Sequence, residues 1–415
     1  MCPTAADAGI GRGAAGRGRE GMAVEYMKVR QAADKWQMTE RQVQKCCARG
    51  WVEGAVKAGG AWSIPAGAPL PEEPAPAQPE EPGQNPSGLM PLLNTPFEPG
   101  RCMAYIRAMP AGPRRDIALS EYHYFSGQAE KAAQEAELYL IHPDQEIRLS
   151  ACLLYTYANL SIGQIQRASC TLAQLSRKPE KGETMTPQLM AARAFVATTA
   201  SVLLHLPLPE GLPPAIECLP LLPPGLRSFA MYVLAHYVYL QGDYGKSLGM
   251  VEATLAMQTP VCPIPAIYLH LVAVMDYMSL RRPEEAQKHL LAAWDLARPD
   301  DLIEGFGEHH GLLGGMLEAV IKKDWPEDFK RIIDITYRFS AGWRKIHNPV
   351  TGHDVADNLT TTEFAVAMLA ARGWTNQEIG AHMNISANTV KQHVSLVLQK
   401  LNVSQRQDLK KYMLQ

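Results

Sequence analysis

A proline-rich segment divides this chain of 415 residues into two unequal parts. Between Pro65 and Pro99 the sequence contains eleven of the 31 prolines, together with five glutamates. Proline fixes φ and has no amide hydrogen, so a run of this density forms neither a helix interior nor a central strand. We therefore predict an extended, semi-rigid linker over residues 67–99. It separates a small N-terminal domain, residues 22–66, from the rest of the chain.

Residues 1–21 lack the apolar core of a signal peptide and are expected to form a disordered extension. The tripeptide Arg-Glu-Gly directly before Met22 can be encoded by AGG-GAG-GGN, which resembles a bacterial ribosome-binding site. Translation is therefore expected to begin at Met22.

The composition, 47% hydrophobic and 20% charged, is that of a globular protein. The eight cysteines include no C-x-x-C pair and no zinc-ligand spacing, so they are expected to be small apolar residues in a reducing cytoplasm. The longest apolar stretches, such as FAMYVLAHYVYL from Phe229, are too short to span a bilayer. We expect a cytoplasmic protein with no membrane segment, no metal and no cofactor.

The charge is unevenly distributed along the chain. Residues 22–64 carry seven Lys and Arg against four Asp and Glu, and residues 359–415 carry six against three. Each end is therefore +3, whereas residues 65–358 carry −9 within an overall charge of −2. Basic ends and an acidic middle favour contact of the ends, and not of the middle, with a polyanion such as DNA.

Residues 100–346 have the periodicity of helices. In PEEAQKHLLAAWDLA, which starts at Pro283, apolar residues recur at helical spacing with charge on the opposite face. Corners between helices are predicted at four positions: Gly127, Gly163, Gly242 and Arg281. A small residue follows each of them five positions later: Ala132, Ala168, Ser247 and Ala286. A further, degraded repeat is predicted around LLHLPLPEGLPP.

These units resemble tetratricopeptide-type helical hairpins, in which small residues let paired helices approach closely. The resemblance implies a helical solenoid, although the units are longer than the ideal of about 34 residues.

Three motifs in this region contain residue types that can bind ligands. GDYGKS at residues 242–247 contains the end of a phosphate-binding loop, but Leu240 stands where that loop needs its first glycine, so we predict a helix corner. The pair His309-His310 has no carboxylate or cysteine at ligand spacing and is predicted to be ordinary polar residues of a Gly-rich turn. The tyrosines of YHY, YTY and YVY are predicted to pack between helices, with a ligand cage as the alternative.

Signals for four helices follow one another in residues 355–415. Three capping-box patterns are each predicted to open a helix: Thr360 with Glu363, Thr375 with Glu378, and Ser404 with Gln407. Ser386 is predicted to cap a further helix that runs through Leu401.

The helix that Ser386 opens has two distinct faces. Four apolar residues spaced by four, three and four positions must face the core: Val390, Val394, Val397 and Leu401. The opposite face has no acid and consists of Asn388, Gln392, Ser395 and Gln399, flanked by Thr389, Lys391 and Lys400. Amides suit base edges and lysines suit phosphates, so this face is a candidate DNA-binding surface. The alternative is a solvated face with no ligand.

The order LTTTE, GWTNQEIG, ISANTVKQHV and QKLNV resembles the LuxR-type (GerE-like) helix-turn-helix of bacterial transcription factors. The resemblance implies a supporting helix over Thr375–Met383 and a recognition helix over Ser386–Leu401 in the major groove of double-stranded DNA. It also implies a homodimer formed through the last helix, with Leu409, Tyr412 and Met413. Gly380 stands where the family usually has alanine. The glycine is expected to keep a close approach between the helices and to weaken its own helix by ~1 kcal/mol.

The N-terminal domain shows a helix start and then a strand pattern. Thr39 with Gln42 is another capping box, and the helix that it opens has an inward face: Val43, Cys46 and Cys47. Its other face carries Arg41, Gln44, Lys45 and Arg49. In the following segment, GAVKAGGAWSIP, residue types alternate as in β-strands, and a Gly-Gly pair can form the turn between two strands. A small β-wing has this pattern.

This pattern resembles the excisionase/MerR-like winged helix-turn-helix. The resemblance implies that the basic helix face reads DNA and that Lys57 and the wing contact its backbone. The alternative is a domain that docks protein.

The sequence therefore predicts a mainly all-α fold, in which a TPR-like solenoid is flanked by two helix-turn-helix domains, the first with a β-wing. We expect a bacterial transcription regulator with no catalytic residues and an unknown small-molecule or protein effector at the repeats. The alternative is a repeat-based protein-interaction scaffold. A third class, the signal-transducing ATPases, requires a nucleotide motif that this sequence lacks.

Overall fold

The structure is a computed structural model that describes residues 26–36, 38–48, 52, 54–58, 61–69, 87–175, 186–204, 206, 211–347 and 359–410. The predicted extension over residues 1–21, the proposed start at Met22 and most of the predicted linker lie outside the described residues. The chain divides into two compact units, Met1–Glu80 and Glu81–Gln415.

The smaller unit combines two short helices with a three-stranded antiparallel sheet. Its elements are β1 (Tyr26–Lys28), α1 (Val29–Trp36), α2 (Glu40–Ala48), β2 (Val56–Ala58) and β3 (Ala61–Pro65). The strand order is β1-β3-β2, with Met27 opposite Ile64 and Lys57 opposite Trp62. The strands β2 and β3 form where the sequence around Lys57 predicts them.

The helix α2 begins directly after Thr39, where the capping pattern predicts a helix start. The predicted inward face is confirmed, because Val43, Cys46 and Cys47 are all buried. They pack with residues of α1 and the sheet into a small separate core, which includes Trp36 and Ile64.

The larger unit is built from helices. In chain order they are α3 (Cys102–Ala108), α4 (Pro113–Phe125), α5 (Ala129–Glu137), α6 (Gln145–Ser161), α7 (Ile165–Leu175), α8 (Pro187–Leu203), α9 (Ala215–Cys218), α10 (Pro224–Leu240), α11 (Tyr244–Met257), α12 (Pro263–Ser279), α13 (Pro283–Ala297), α14 (Glu304–Glu308), α15 (Lys322–Asp324), α16 (Pro326–His347), α17 (Thr361–Ala371), α18 (Asn376–Met383) and α19 (Ala387–Lys400). A π-helical turn (Leu317–Ile321) precedes α15, and a single 3-10 turn (Arg406–Leu409) follows α19. The predicted mainly all-α fold is confirmed.

The four predicted helix corners are where the structure turns. They join α4 to α5, α6 to α7, α10 to α11 and α12 to α13. All four corner residues have positive φ: Gly127 at 76°, Gly163 at 79°, Gly242 at 80° and Arg281 at 62°. Glycine takes this conformation without steric cost. The small residues five positions later are fully buried: Ala132, Ala168, Ser247 and Ala286. The assignment of these hairpins to the tetratricopeptide family stays a prediction.

The GDYGKS segment is such a corner. Gly242 occupies the turn, and the Asp243 side chain caps α11 by accepting from the Lys246 amide at 3.1 Å. Ser247 is buried between α10 and α12, with its Oγ 2.9 Å from Ala235 O and 2.7 Å from Asp276 Oδ2. The degraded repeat predicted around residues 203–214 lies partly outside the described residues, between α8 and the single turn α9.

The hydrophobic core of the larger unit extends from Leu89 to Leu409 without a break. The helix α12 is buried on nearly all sides, as expected for a helix at the centre of a domain. The core includes Ala365, Val366 and Leu369 of α17. The last three helices therefore share one packed interior with the helices α3 to α16, hereafter the repeats.

The predicted linker is wrong at its C-terminal end. Leu89, Met90, Leu92 and Leu93 are buried in the core of the larger unit. The amides of Leu92 and Leu93 donate to the two carboxylate oxygens of Glu121 in α4, at 2.7 and 3.0 Å. Proline density averaged over the whole segment hides the apolar run LMPLL, which buries enough surface to hold residues 87–99 against the helices.

Candidate nucleic-acid interface

Local hydrogen bonds fix the start of each of the last three helices. Thr360 accepts from the Glu363 amide at the start of α17, and Thr375 accepts from the Glu378 amide at the start of α18. In both cases the glutamate side chain accepts in return from the threonine amide, so both predicted capping boxes are confirmed. Ser386 accepts from the Thr389 amide at 3.0 Å, which confirms the predicted cap of α19.

The third predicted capping box is wrong. The 3-10 turn starts at Arg406 after Gln405, and no side chain caps it. Instead, the Arg406 guanidinium donates to Trp374 O and to Asn376 Oδ1, which ties this turn to the start of α18. Long-range bonds from Arg406 therefore replace the local bond that the spacing of Ser404 and Gln407 predicts.

The predicted dimer contact at Leu409 is also wrong. Its side chain is fully buried in the core of its own chain, against α17, so it offers no surface to a second copy. Tyr412 and Met413 lie outside the described residues.

The inward face of α19 is as predicted. Val390, Val397 and Leu401 are at most 2% exposed, and Val394 is 8% exposed. The four polar residues predicted to face outward are all exposed: Asn388, Gln392, Ser395 and Gln399. Lys391 is exposed beside them, and Thr389 is half-buried with its hydroxyl 2.8 Å from Ser386 Oγ. The sequence of α19 contains no acid, so this face is polar and basic.

Lys400 differs from the other residues of this set. Its Nζ donates to Glu363 Oε2 at 2.7 Å and to Oε1 at 3.0 Å. Burial alone would raise the pKa of Glu363, but the bonds from Lys400 and from the Thr360 amide outweigh it and hold the pKa below its ordinary value. The Lys400 ammonium therefore joins α19 to the start of α17 inside the domain.

Leu396 is a surface residue of α19 that the pattern of polar residues does not reveal. Its side chain is 45% exposed and lies one turn after Gln392, on the outward face. Large apolar side chains on a polar helix face are candidates for contacts with an apolar group such as the thymine methyl.

Gly380 allows the tight turn between α18 and α19. A Cβ at this position would lie 2.6 Å from Ile385 O, and the Ile385 amide donates to Gly380 O at 3.0 Å. The close approach expected of Gly380 is thus present, but an alanine would collide with the turn. Glycine here is a packing requirement, in addition to any effect on helix propensity.

The structure describes only part of the candidate surface in the smaller unit. Gln44 in α2 and Lys57 in β2 are exposed, and the Lys57 ammonium lies 5.8 Å from the centroid of the Trp62 ring. The side chains of Arg41 and Lys45, and the whole of Arg49, lie outside the described residues.

The helix-turn-helix is docked on the repeats through its other side, away from the outward face of α19. Arg372, at the end of α17, donates to Tyr239 Oη of α10 at 2.9 Å and to Leu312 O at 2.8 Å. The His382 ring in α18 lies 3.2 Å from Gly314 O, a geometry in which Nε2–H donates. Sequence patterns do not reveal these contacts because the partners are sixty or more residues apart in the chain.

Charged and aromatic side chains extend this interface. Arg281 at the fourth corner donates to Glu378 at 2.6 Å, and its guanidinium lies 6.0 Å from the centroid of the Trp374 ring. Trp374 in turn packs against His382, with ring centroids 5.4 Å apart. The corner residue that departs from glycine therefore contacts the helix-turn-helix.

The two adjacent histidines of the Gly-rich turn are not ordinary surface residues. His309 is 4% exposed; its Nε2 lies 3.1 Å from Tyr232 Oη and its Nδ1 lies 2.8 Å from Gly305 O. Burial lowers the pKa of His309 to about 4. His310 is 3% exposed and lies 2.8 Å from Glu318, a carboxylate that sequence spacing does not bring to notice. Within the described residues, no cluster of three or more His, Cys, Asp or Glu side chains is placed to hold a metal ion.

No helix of the described residues has both the length and the apolar character needed to cross a membrane.

Residues 357–413 match the family described as bacterial regulatory proteins, luxR family. The chain is 44% identical over 54 residues to the probable transcriptional regulatory protein SgaR of Hyphomicrobium methylovorum, which is 13% of this chain and 26% of that protein. It is 39% identical over 110 residues to the response regulator protein VraR of Staphylococcus saprophyticus, 25% of this chain and 53% of VraR. It is 28% identical over 148 residues to the HTH-type transcriptional regulator MalT of Klebsiella pneumoniae, 32% of this chain and 16% of MalT.

The three segments just given span between 16% and 53% of the length of these relatives. The helix-turn-helix of α17, α18 and α19 is therefore a luxR-family domain, as its sequence pattern predicts.

Proposed function

We propose that this protein is a transcription regulator that binds a specific DNA sequence through α19. The observation that carries the proposal is the outward face of this helix, where Asn388, Gln392, Ser395 and Gln399 are all exposed while the opposite side of the domain is docked on the repeats. A face of this kind is free to enter the major groove.

The residue types suit distinct roles in that groove. Asn388 and Gln392 lie in the N-terminal half of α19, the part of a recognition helix that contacts base edges, and each amide can pair with adenine through two hydrogen bonds. Lys391 is a single mobile charge at the edge of the face and suits a backbone phosphate. Leu396 suits a thymine methyl.

The repeats are proposed to sense an effector, either a small molecule or a protein, and to pass its effect to DNA binding through the docked interface. Arg372 is central to this idea because it bonds both α10 and the turn that follows α14. The smaller unit is proposed as a second DNA reader, through its basic helix α2 and Lys57. A homodimer on DNA is proposed from the family of the C-terminal domain.

The test is a titration of the full chain on operator fragments selected from random DNA, at several salt concentrations. Lys391→Ala is expected to lower the slope of log affinity against log salt by about 0.9, with a similar loss on every sequence. Asn388→Ala is expected to keep the slope and to reduce discrimination at one base pair by ~1–3 kcal/mol. Equal losses from both variants on all sequences would contradict base reading by α19.

A second titration tests the smaller unit. Two linked modules bind a composite site more tightly than either alone, because the first contact raises the local concentration of the second. The double variant Arg41→Ala, Lys45→Ala is expected to remove most of that gain on a long operator fragment at fixed salt. If it binds as tightly as the unaltered chain, the smaller unit is a protein-docking domain instead.

A further inference from the structure

A small cavity lies among the repeats beside α14. Its volume is about 40 Å³, and since one water needs roughly 10–15 Å³ it has room for about three water-sized groups. Five aromatic residues contribute to its walls: Tyr124, Phe125, Tyr157, Phe229 and Tyr268. Their rings interlock edge to face, with the Tyr268 centroid 5.4 Å from that of Phe229 and 5.9 Å from that of Phe125. Tyr124 and Tyr157 come from the YHY and YTY motifs.

Among the described residues, Glu308 is the one acid in the cavity wall. Tyr268 donates to its Oε2 at 2.8 Å, and Tyr124 donates to its Oε1. Glu304, one turn earlier in α14, is 1% exposed, and its Oε2 has no hydrogen-bond partner in the described part of the chain. Burial raises the pKa of both carboxyls. Two acids are thus buried together, and neither forms an ion pair with a lysine or arginine of the described residues.

Thr199 supplies a second polar group. It lines the cavity from α8, it is 3% exposed, and its hydroxyl has no hydrogen-bond partner among the residues that the structure describes. A buried hydroxyl without a partner is unfavourable, so a ligand that donates to it or accepts from it gains affinity.

We propose that this cavity binds a small organic cation, an alkylammonium of about three non-hydrogen atoms. Aromatic ring faces attract cations, most strongly where water is excluded. A bound ammonium balances the charge of ionised Glu308, and one of its N–H groups can donate to the Thr199 hydroxyl. A neutral alcohol of the same size can also bond to the Thr199 hydroxyl, but it cannot balance the charge of Glu308.

The position of the cavity connects it to the DNA-binding domain. Glu308 ends α14, and four residues later Leu312 O accepts from Arg372 of the helix-turn-helix. Between them, His309 is fixed by Tyr232 and Gly305. A ligand that moves the end of α14 therefore acts on the segment that holds Arg372. This regulatory consequence rests on the proposed function, whereas the binding of the cation does not.

The experiment compares ethylammonium chloride with ethanol by calorimetric titration of the full chain at constant ionic strength. Each probe has three non-hydrogen atoms, and the two differ in charge. Ethylammonium is expected to bind at least tenfold more tightly than ethanol. Glu308→Gln is expected to abolish this preference, and Thr199→Val to weaken ethylammonium binding several-fold. Glu318→Gln is the matched control, since Glu318 is a buried acid bonded to His310 outside the cavity, and it is expected to keep the preference.

The proposal is overturned if ethanol binds as tightly as ethylammonium, or if the folded, unaltered chain binds no ethylammonium. Retention of the preference in Glu308→Gln also overturns it. DNA binding of the same samples is measured separately. A chain that binds its operator but not ethylammonium contradicts this inference alone, and a chain that binds ethylammonium but no DNA contradicts the proposed function alone.

Discussion

Arg281, at the corner between α12 and α13, donates to Glu378, the capping-box glutamate of α18, over 2.6 Å. The other three corners of the repeats have glycine in the same left-handed conformation. A side chain in this conformation costs roughly 1 kcal/mol in the backbone. The fourth corner thus carries local strain and holds a side chain that reaches the helix-turn-helix.

Arg281→Gly is therefore expected to leave the repeats about as stable as before, because the backbone strain is relieved while a flexible residue is introduced. The docking of α18 is expected to weaken, since the bond to Glu378 and the contact with Trp374 are lost. Hydrogen exchange of the amides of residues 376–383 measures the effect, which should appear as faster exchange. Arg282→Ala is the control, because Arg282 directly precedes α13 and pairs with Glu285 in the first turn of that helix. Unchanged exchange in Arg281→Gly contradicts the prediction.

Lys400→Met tests the bond between α19 and α17. The substitution leaves the carboxylate of Glu363, which is 5% exposed, without its ammonium partner, and we expect a loss of ~1–3 kcal/mol in the free energy of unfolding. Because the pKa of Glu363 is held below its ordinary value in the folded chain, its contribution is present above the unfolded pKa of about 4.3 and is lost as the pH falls below it. The difference in the free energy of unfolding between Lys400→Met and the unaltered chain should therefore decrease at acidic pH. Unfolding in urea at several pH values measures it.

The same variant also separates structure from DNA contact. If Lys400 binds only Glu363 and no phosphate, Lys400→Met and the unaltered chain should show the same salt dependence of DNA binding. The comparison is made at a temperature at which both proteins are folded. A decrease of about 0.9 in the slope, as expected for Lys391→Ala, would falsify the structural role.

The sequence predicts the parts of this site that depend on local spacing. A capping box is a bond between residues three apart, so Thr375 and Glu378 reveal the start of α18 without any knowledge of the fold. The outward face of α19 follows from helical periodicity in the same way. The helix corners at Gly127 and Gly242 are also local, because they require only a residue that tolerates positive φ.

Contacts between distant segments were not predictable in this way. Arg372 binds Tyr239, 133 residues away, and nothing in the spacing of either residue indicates the pair. Lys400 belongs to the predicted DNA face by its position on the helix, yet its long side chain reaches back to Glu363. The proline density of residues 67–99 as a whole places the Leu89–Leu93 segment in the linker and hides its apolar residues. Their burial, and the bonds to Glu121, instead place the segment in the core.

Gly380→Ala distinguishes packing from helix propensity. Propensity alone predicts that the alanine stabilises α18 by about 1 kcal/mol. The structure predicts the opposite, because the new Cβ would lie 2.6 Å from Ile385 O in the turn before α19. Overpacking of this kind costs about 1–3 kcal/mol, so we expect a net decrease in the free energy of unfolding, measured in urea. An increase contradicts the geometry of the turn. Gly249→Ala in α11 is the control, since open space surrounds that position and only the propensity gain is expected.

Asp276→Asn tests a buried acid next to the interface with the helix-turn-helix. Asp276 is fully buried in α12, and burial raises its pKa to about 8, against the lowering effects of the Ser247 hydroxyl and the Arg372 charge. The hydrogen bonds agree with a neutral acid. Ser247 has a single hydroxyl hydrogen, which it can donate to Ala235 O at 2.9 Å. The 2.7 Å contact between Ser247 Oγ and Asp276 Oδ2 is then a hydrogen bond if protonated Asp276 donates to Ser247.

The sign of the pH effect follows from the two pKa values. The unfolded chain releases this proton near pH 3.9, whereas the folded chain keeps it until about pH 8, so the folded state binds more protons in between and loses stability as the pH rises through that range. Asparagine has no proton to lose and can make the same bond to Ser247. We therefore expect Asp276→Asn to match the unaltered chain near pH 4 and to exceed its free energy of unfolding by ~1–3 kcal/mol at pH 8. Urea unfolding at pH 4 to 8 measures this difference, and a gap that stays constant or narrows as the pH rises would show that Asp276 is ionised in the folded chain.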